Sequence, residues 1–346
     1  MASRRRQSSS PNTRPELKAG HKLNLEVRTD VDLSTLCTFK LGGTAREVFL
    51  PSSLEELARA VTSSHESSGR SLLLGRGSNV VFSSREMVTP LIVTTELNKI
   101  TFPGSARQAP DWSRPAFKDA GNHPLVFCEC GASIASLIRF TMEKKLGDLT
   151  FLAGVPGTVG GALAMNAEGV MDILEGNLWI AELAGKQYDE IRIRPGTDFR
   201  YSYRHSSVQD TIAVAALLRL SPKPPEAMQA EIEEITAKRR RTQPHQQPSA
   251  GSVFKNPPND FAGRLLEAAG MKGARVGDAA FSDKHANFIV NLGNATGEDV
   301  LELMLQGKKA VWEKFGISLC PEVKFFGEFD PQKLHYLNEE LSLIND

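Results

Sequence analysis

Apolar and polar positions along the chain switch between two periods, and the switches mark out the elements. Glu47-Val-Phe-Leu50 carries strand-forming residues just after a turn at Gly42-Gly43. Ser52 or Ser53 offers a cap for a helix whose apolar positions Leu54, Leu57, Ala58 and Val61 follow helical spacing. A short apolar strand, Ser71-Leu-Leu-Leu74, runs into Gly75-Arg-Gly-Ser-Asn79, and a second strand, Val80-Val-Phe82, follows at once. Strand, helix, strand in this order belongs to an α/β or α+β domain. Leu125 to Cys130 predicts another strand, and Ile134, Leu137, Ile138 and Met142 predict one face of a helix that Gly147 ends. A strand over Thr211 to Leu220 meets the stiff segment Ser221-Pro-Lys-Pro-Pro225, beyond which Glu226 to Arg241 predicts a strongly charged helix. Periodicity vanishes between 102 and 124, where four prolines predict a surface loop.

Composition narrows the function without naming it. The 346 residues are 40% hydrophobic and 24% charged, with 41 basic and 41 acidic side chains, so the formal charge is zero. That balance argues for neither a nucleic-acid nor a membrane partner. No run of about eighteen apolar residues occurs, so no membrane-spanning segment is expected. The first residues hold a basic run with no apolar stretch after it, which predicts a disordered tail and no export. Four cysteines, Cys37, Cys128, Cys130 and Cys320, read as reduced thiols of a cytoplasmic protein, and the Cys128/Cys130 spacing is too tight for a zinc site.

Five segments carry candidate chemistry. In Gly75-Arg-Gly-Ser-Asn79 two glycines let backbone amides approach a ligand, as a dinucleotide pyrophosphate requires. A plain glycine-rich hairpin accounts for it equally well, and no helix follows directly, so it is not a Rossmann fingerprint. Gly154-Val-Pro-Gly-Thr-Val-Gly-Gly161 supplies four glycines in eight residues and the Thr158 hydroxyl. Two such loops in one domain favour phosphate cradling over tight packing alone. Tyr201-Ser-Tyr-Arg-His-Ser206 reads as an extended segment with Tyr201 and Tyr203 on one side and Ser202, Arg204 and Ser206 on the other; Arg204 offers a planar fork to a carboxylate, and a solvated edge strand fits too. In Pro248 to Pro257, Ser252 follows Gly251, with Lys255 and Asn256 beside it. This is not a nucleophile elbow, since Phe254 stands where the second glycine belongs, and a serine donates protons well only to a very basic carbon. The basic run Lys238 to Arg241 before it is a solvated helix face or a diphosphate holder. Glu322, in Cys320-Pro-Glu-Val-Lys-Phe-Phe-Gly327, starts a short apolar strand, where desolvation would keep a carboxyl protonated, and a strand-end glutamate paired with a lysine fits equally well.

In order and spacing, this set resembles the MurB family of UDP-N-acetylenolpyruvoylglucosamine reductases. The matching motifs are Phe39 to Ala45, the two glycine loops, Tyr203 to Ser206, Pro248 to Pro257, Lys284 to Asn291 and Pro321 to Gly327, covering about residues 36–327. The resemblance implies an α+β fold: a two-subdomain FAD-binding domain of the vanillyl-alcohol-oxidase (PCMH) type plus a C-terminal α+β substrate domain. The expected division is a tail at 1–21, the FAD domain at 22–222 (subdomains about 22–98 and 99–222), the substrate domain at 223–330, and an extension at 331–346. It implies a cytoplasmic, monomeric, NADPH-dependent oxidoreductase of peptidoglycan synthesis that reduces UDP-N-acetylglucosamine enolpyruvate through FAD. Ser252 then matches the proton donor to carbon, and Arg204 and Glu322 match the groups that stabilise the enolate. FAD contacts are implied for Gly75, Arg76, Gly77, Ser78, Asn79, Gly154, Val155, Pro156, Gly157, Thr158, Gly160, Gly161 and Asn166, and substrate contacts for Tyr203, Lys255 and Asn256. The chain departs from the family pattern in three places: Met165-Asn-Ala-Glu-Gly169 replaces M-N-A-G-A-Y-G, the 102–124 loop is long, and Ala280 stands where Gln is common. An FAD oxidase of the same fold and a flavin-free nucleotide-sugar binder are the competing readings.

Overall fold

The computed structural model describes residues 24–102 and 125–339, so the expected tail and all but the first residue of the expected 102–124 loop lie outside the described residues. The first sheet comprises β1 (Glu26–Asp32), β2 (Thr44–Leu50), β3 (Leu72–Leu74) and β5 (Leu91–Val93), in the order β1-β2-β5-β3. β1 pairs antiparallel with β2, while β2 and β3 both lie parallel to β5. The helix Leu54–Ser68 connects β2 to β3, starting where Ser53 accepts from the Glu56 N–H and stopping at Gly69, whose φ of 71° is left-handed. Its buried Leu57, Ala60 and Val61 pack between this sheet and the next. Full burial of Leu57 and of Val61 contributes about 1.5–3 kcal/mol each. β4 (Val80–Phe82) leaves the sheet to pair elsewhere.

The second sheet is antiparallel throughout, built from β6 (Ile100–Thr101), β7 (Leu125–Glu129), β8 (Leu178–Ala184), β9 (Glu190–Pro195) and β12 (Ile212–Arg219), in the order β6-β7-β12-β8-β9. Every position of β7 and β8 is buried, because the sheet is covered on both faces. One face meets the Leu54–Ser68 helix, and the other meets Ile134–Glu143 and Val159–Ala164. Between β9 and β12 lies a two-strand hairpin, β10 (Tyr201–Ser202) and β11 (His205–Ser206). The expected extended segment over 201–206 is therefore wrong. Tyr203 and Arg204 form its turn, and Arg204 takes a φ of 55° that breaks the alternation.

The helix Pro225–Thr242 leads to the third sheet, β13 (Ser249–Ser252), β14 (Arg275–Val276), β15 (Ala279–Phe281) and β16 (Phe288–Asn291), ordered β13-β16-β15-β14. It is backed by the helix Gly297–Phe315, held by a capping box between Thr296 and Asp299. β17 (Lys324–Phe326) then pairs in parallel with β4, Lys324 opposite Val80. Buried residues from Leu33 to Val93 and from Ala250 to Leu337 consequently form one continuous core.

Other expectations also need correcting. The helix Ile134–Glu143 ends at Lys144, before Gly147, where Lys145 turns left-handed. Glu322 precedes rather than starts its strand, β17. Residues 331–338 of the expected extension form a helix whose Leu337 is fully buried.

Candidate active site

The two glycine loops face each other. Gly75 to Asn79 links β3 to β4, and a Cβ on Gly75 would fall 2.4 Å from Thr158 Oγ1. Gly77, with φ 62°, passes so close to the Leu36 carbonyl that a Cβ would lie 2.2 Å from it. Ser78 Oγ donates to the Pro156 carbonyl at 3.0 Å, closing the gap between the loops. The backbone N–H groups of Arg76, Gly77 and Ser78 donate to no partner among the described residues. A glycine-lined cradle with uncommitted amides fits the pyrophosphate of FAD.

A cleft of about 240 Å³ opens beside the cradle, lined by Gly75 to Asn79, by Val155 to Thr158 and by Gly161. It runs into a larger cavity of about 1040 Å³ between the first two sheets, sharing Gly75, Thr158, Gly161 and Lys324. Together they offer an elongated site that suits an extended dinucleotide. Gly160 lines only the larger cavity and presses on Cys130, whose Cβ would lie 2.9 Å from a Cβ added at Gly160, so its small size serves packing first. Gly154 lines a third cavity of about 1020 Å³, which also holds Arg239, Arg240, Arg275 and Lys284. Asn166 is only 3% exposed and lines none of the three. It holds a turn, donating to Asp172 and to the Ser202 carbonyl and accepting from the Met171 N–H.

Arg204, Ser252 and Glu322 converge on the small cleft from three separate segments. Backbone pairing brings the last two together. Glu322 N–H donates to the Val253 carbonyl, and Lys255 N–H donates to the Cys320 carbonyl. Asn79 of the first glycine loop donates to the Glu322 carbonyl at 3.1 Å, tying the cradle to the same segment. Ser252 ends β13 after Gly251, whose φ of 80° turns the chain sharply. The Ser252 hydroxyl has no hydrogen-bond partner among the described residues, which leaves it available to a ligand.

Burial pushes the Glu322 carboxyl up to about 7, against the pull of Arg204 and Lys255 and with help from Glu168. Near neutral pH it is therefore a proton-bearing donor about half the time. Arg204 Nε lies 3.0 Å from Glu322 Oε1, yet the N–H is misaligned and makes no hydrogen bond. A buried guanidinium N–H without an aligned acceptor suits an incoming oxyanion. Burial works against the Arg204 charge, but Glu322 and Glu168 more than offset it and raise its pKa.

The other expected substrate residues sit outside this cleft. Tyr203 is 53% exposed and stacks on its neighbour Arg204, with the guanidinium 5.5 Å from the ring centre. Asn256 Oδ1 accepts from Ala262 N–H at the start of the helix Ala262–Ala268. Lys255 acts on Glu322 through its charge. Three charged residues of the cleft were not singled out individually from sequence. Lys324 shares the Glu322 side of an extended segment, so period-two alternation could have found it. Arg239 sits in a run of four basic residues, and nothing in sequence says which one faces inward. Glu168 was visible only as a departure from the motif.

A two-lobed site with paired glycine loops and an acid, a hydroxyl and a guanidinium at one end defines an FAD-binding oxidoreductase. A family model for the C-terminal domain of UDP-N-acetylenolpyruvoylglucosamine reductase matches residues 243–326. The enzyme of that name from Caldicellulosiruptor saccharolyticus is 38% identical over 313 residues, covering 89% of this chain and 94% of the relative. Its namesake from Moorella thermoacetica is 35% identical over 317 residues, covering 90% and 97%. The crystal structure of the Thermus caldophilus enzyme superposes with a TM-score of 0.66 at 29% identity, covering 88% of this chain and 99% of that one. The chain belongs to the UDP-N-acetylenolpyruvoylglucosamine reductase family.

Proposed function

We propose that this protein reduces UDP-N-acetylglucosamine enolpyruvate to UDP-N-acetylmuramate with NADPH as reductant, in peptidoglycan precursor synthesis. The observation that carries the roles of its residues is the meeting of Arg204, Ser252 and Glu322 in one cleft rimmed by both glycine loops. Both glycine loops would hold FAD, which would carry hydride from NADPH to the enolpyruvyl carbon remote from the carboxylate. Negative charge then develops on the carboxylate-bearing carbon and its oxygens. Arg204 and protonated Glu322 stabilise those oxygens more strongly as the charge grows, which is where catalysis gains. Ser252 delivers a proton to the carbon, a centre basic enough to take one from a hydroxyl. Arg239, Arg240, Arg275 and Lys284 line the adjoining cavity and suit the diphosphate of the substrate. In this reading residues 22–222 hold the cofactor and 223–330 the substrate.

The protein acts in the cytoplasm as a monomer in this reading; among the described residues no helix is long and apolar enough to cross a membrane. The test is direct. Purified protein should be yellow with a flavin spectrum and should turn over NADPH beyond a single flavin reduction only when the enolpyruvate is present. A colourless protein that takes up no FAD, or NADPH oxidation indifferent to the enolpyruvate, overturns the proposal.

A further inference from the structure

Glu168 sits where three elements of the site meet. Its turn is forced: Asn166, Glu168 and Gly169 all have positive φ, at 43°, 52° and 75°. Asn166 fixes that turn to the Arg204 hairpin through the Ser202 carbonyl at 3.0 Å. Glu168 Oε1 then lies 3.5 Å from an Arg204 terminal nitrogen and 3.2 Å from an Arg239 terminal nitrogen. Arg204 is thus flanked by two carboxylates, Glu322 at Nε and Glu168 at the end of the fork. Arg239 lines both the cleft and the adjoining basic cavity. The Glu168 side chain is 37% exposed, so solvent reaches the carboxylate.

We infer that Glu168 is an internal carboxylate latch, a positioning residue that occupies Arg204 and Arg239 until a carboxylate-bearing substrate displaces it. The inference rests on the proposed reductase reading, because the displacing group is the enolpyruvyl carboxylate. Two carboxylates compete for the same N–H of the guanidinium, and their mutual repulsion adds to the competition. The latch holds the guanidinium in place in the free protein at the expense of substrate affinity. A nucleotide sugar without the carboxylate has nothing to offer Arg204 and leaves Glu168 where it is.

The test uses the flavin-loaded full chain and two variants, Glu168→Gln and Glu168→Gly. The second removes the carboxylate at a position whose left-handed φ glycine takes without strain. Each protein is titrated with UDP-N-acetylglucosamine enolpyruvate and with UDP-N-acetylglucosamine, following the flavin absorption change. Loss of the partly exposed Glu168 carboxylate as competitor, with its pairs to Arg204 and Arg239, should tighten the enolpyruvate about fivefold in both variants and leave UDP-N-acetylglucosamine unchanged. Unchanged or weaker enolpyruvate binding in the variants overturns the latch, as does an equal gain for both ligands. If wild-type protein responds normally to the enolpyruvate while the variants match it, the latch fails and the reductase reading stands. No flavin response to the enolpyruvate in any of the three proteins removes both.

Discussion

Changing Glu322 to Gln separates the charge of this group from its shape. Burial raises its pKa to about 7 from the ordinary carboxylate value of 4.5, so the folded protein binds this proton more tightly than the unfolded chain does. The stability gained from protonated Glu322 is therefore fully present below pH 4.5 and is lost as pH rises through 7. With the carboxyl only 13% exposed, solvent screening removes little of it. Linkage between those two values gives a loss of about 2–3 kcal/mol between pH 5 and pH 8. Gln carries no titratable proton and stays neutral like the protonated acid. Relative to wild type, Glu322→Gln should therefore gain about 2–3 kcal/mol on going from pH 5 to pH 8. Urea unfolding of both proteins in excess FAD at the two pH values measures it. The same ionisation should govern catalysis, with wild-type kcat/KM falling above about pH 7 as the enolate loses its proton-bearing donor. A stability difference that does not change with pH, or an alkaline fall in activity that persists unshifted in Glu322→Gln, refutes the reasoning.

Ser252→Ala should leave flavin reduction by NADPH intact while lowering turnover of the enolpyruvate by roughly a hundredfold or more. Stopped-flow measurement of each half-reaction decides it, and equal damage to both would remove the proton-donor role. Gly77→Ala should destabilise the fold by at least about 2 kcal/mol and weaken FAD retention on gel filtration, because the added Cβ meets fixed Leu36 and Cys37 backbone at a left-handed φ. Asn166→Ala strands the buried Met171 N–H and releases the exposed Ser202 carbonyl to water, and should cost about 1–3 kcal/mol in thermal unfolding. A neutral outcome there would mean that the turn bearing Glu168 is held by something else.

The elements whose period is set by burial were legible in the sequence. Leu57, Ala58 and Val61 predict the first helix because that face meets two sheets, and Ser53, one of the two expected caps, opens it. Two turns were misread because local sequence does not encode what satisfies them. Gly147 has helix-ending chemistry, yet Lys145 already turns the chain. Tyr201 to Ser206 alternates like a strand, yet Arg204 accepts a left-handed φ in a two-residue turn that the Asn166 bond to Ser202 holds from outside. The boundary expected at Ser221 to Pro225 marks a change in composition, while the core shared by residues 33–93 and 250–337 depends on the long-range pairing of β4 with β17, which local sequence does not carry.

The same physics explains the partial legibility of the site. Ser252, Arg204 and Glu322 stood out as residue types, but their meeting depends on long-range backbone bonds, such as those from the Glu322 N–H to the Val253 carbonyl and from the Lys324 N–H to the Asn79 carbonyl. Side-chain pattern does not carry such bonds, since main-chain donors and acceptors are the same at every residue. The polar groups that those bonds enclose acquire their chemistry only afterwards. The Glu322 carboxyl titrates near 7 because folding buries it between Arg204, Lys255 and Glu168, no two of which are neighbours in sequence. Asn256 and Asn166 show the converse, for a polar side chain in a motif was as well suited to start a helix or lock a turn as to touch a ligand. A motif thus names the groups available to a reaction, and only the hydrogen bonds left over after folding tell which of them remain free to take part.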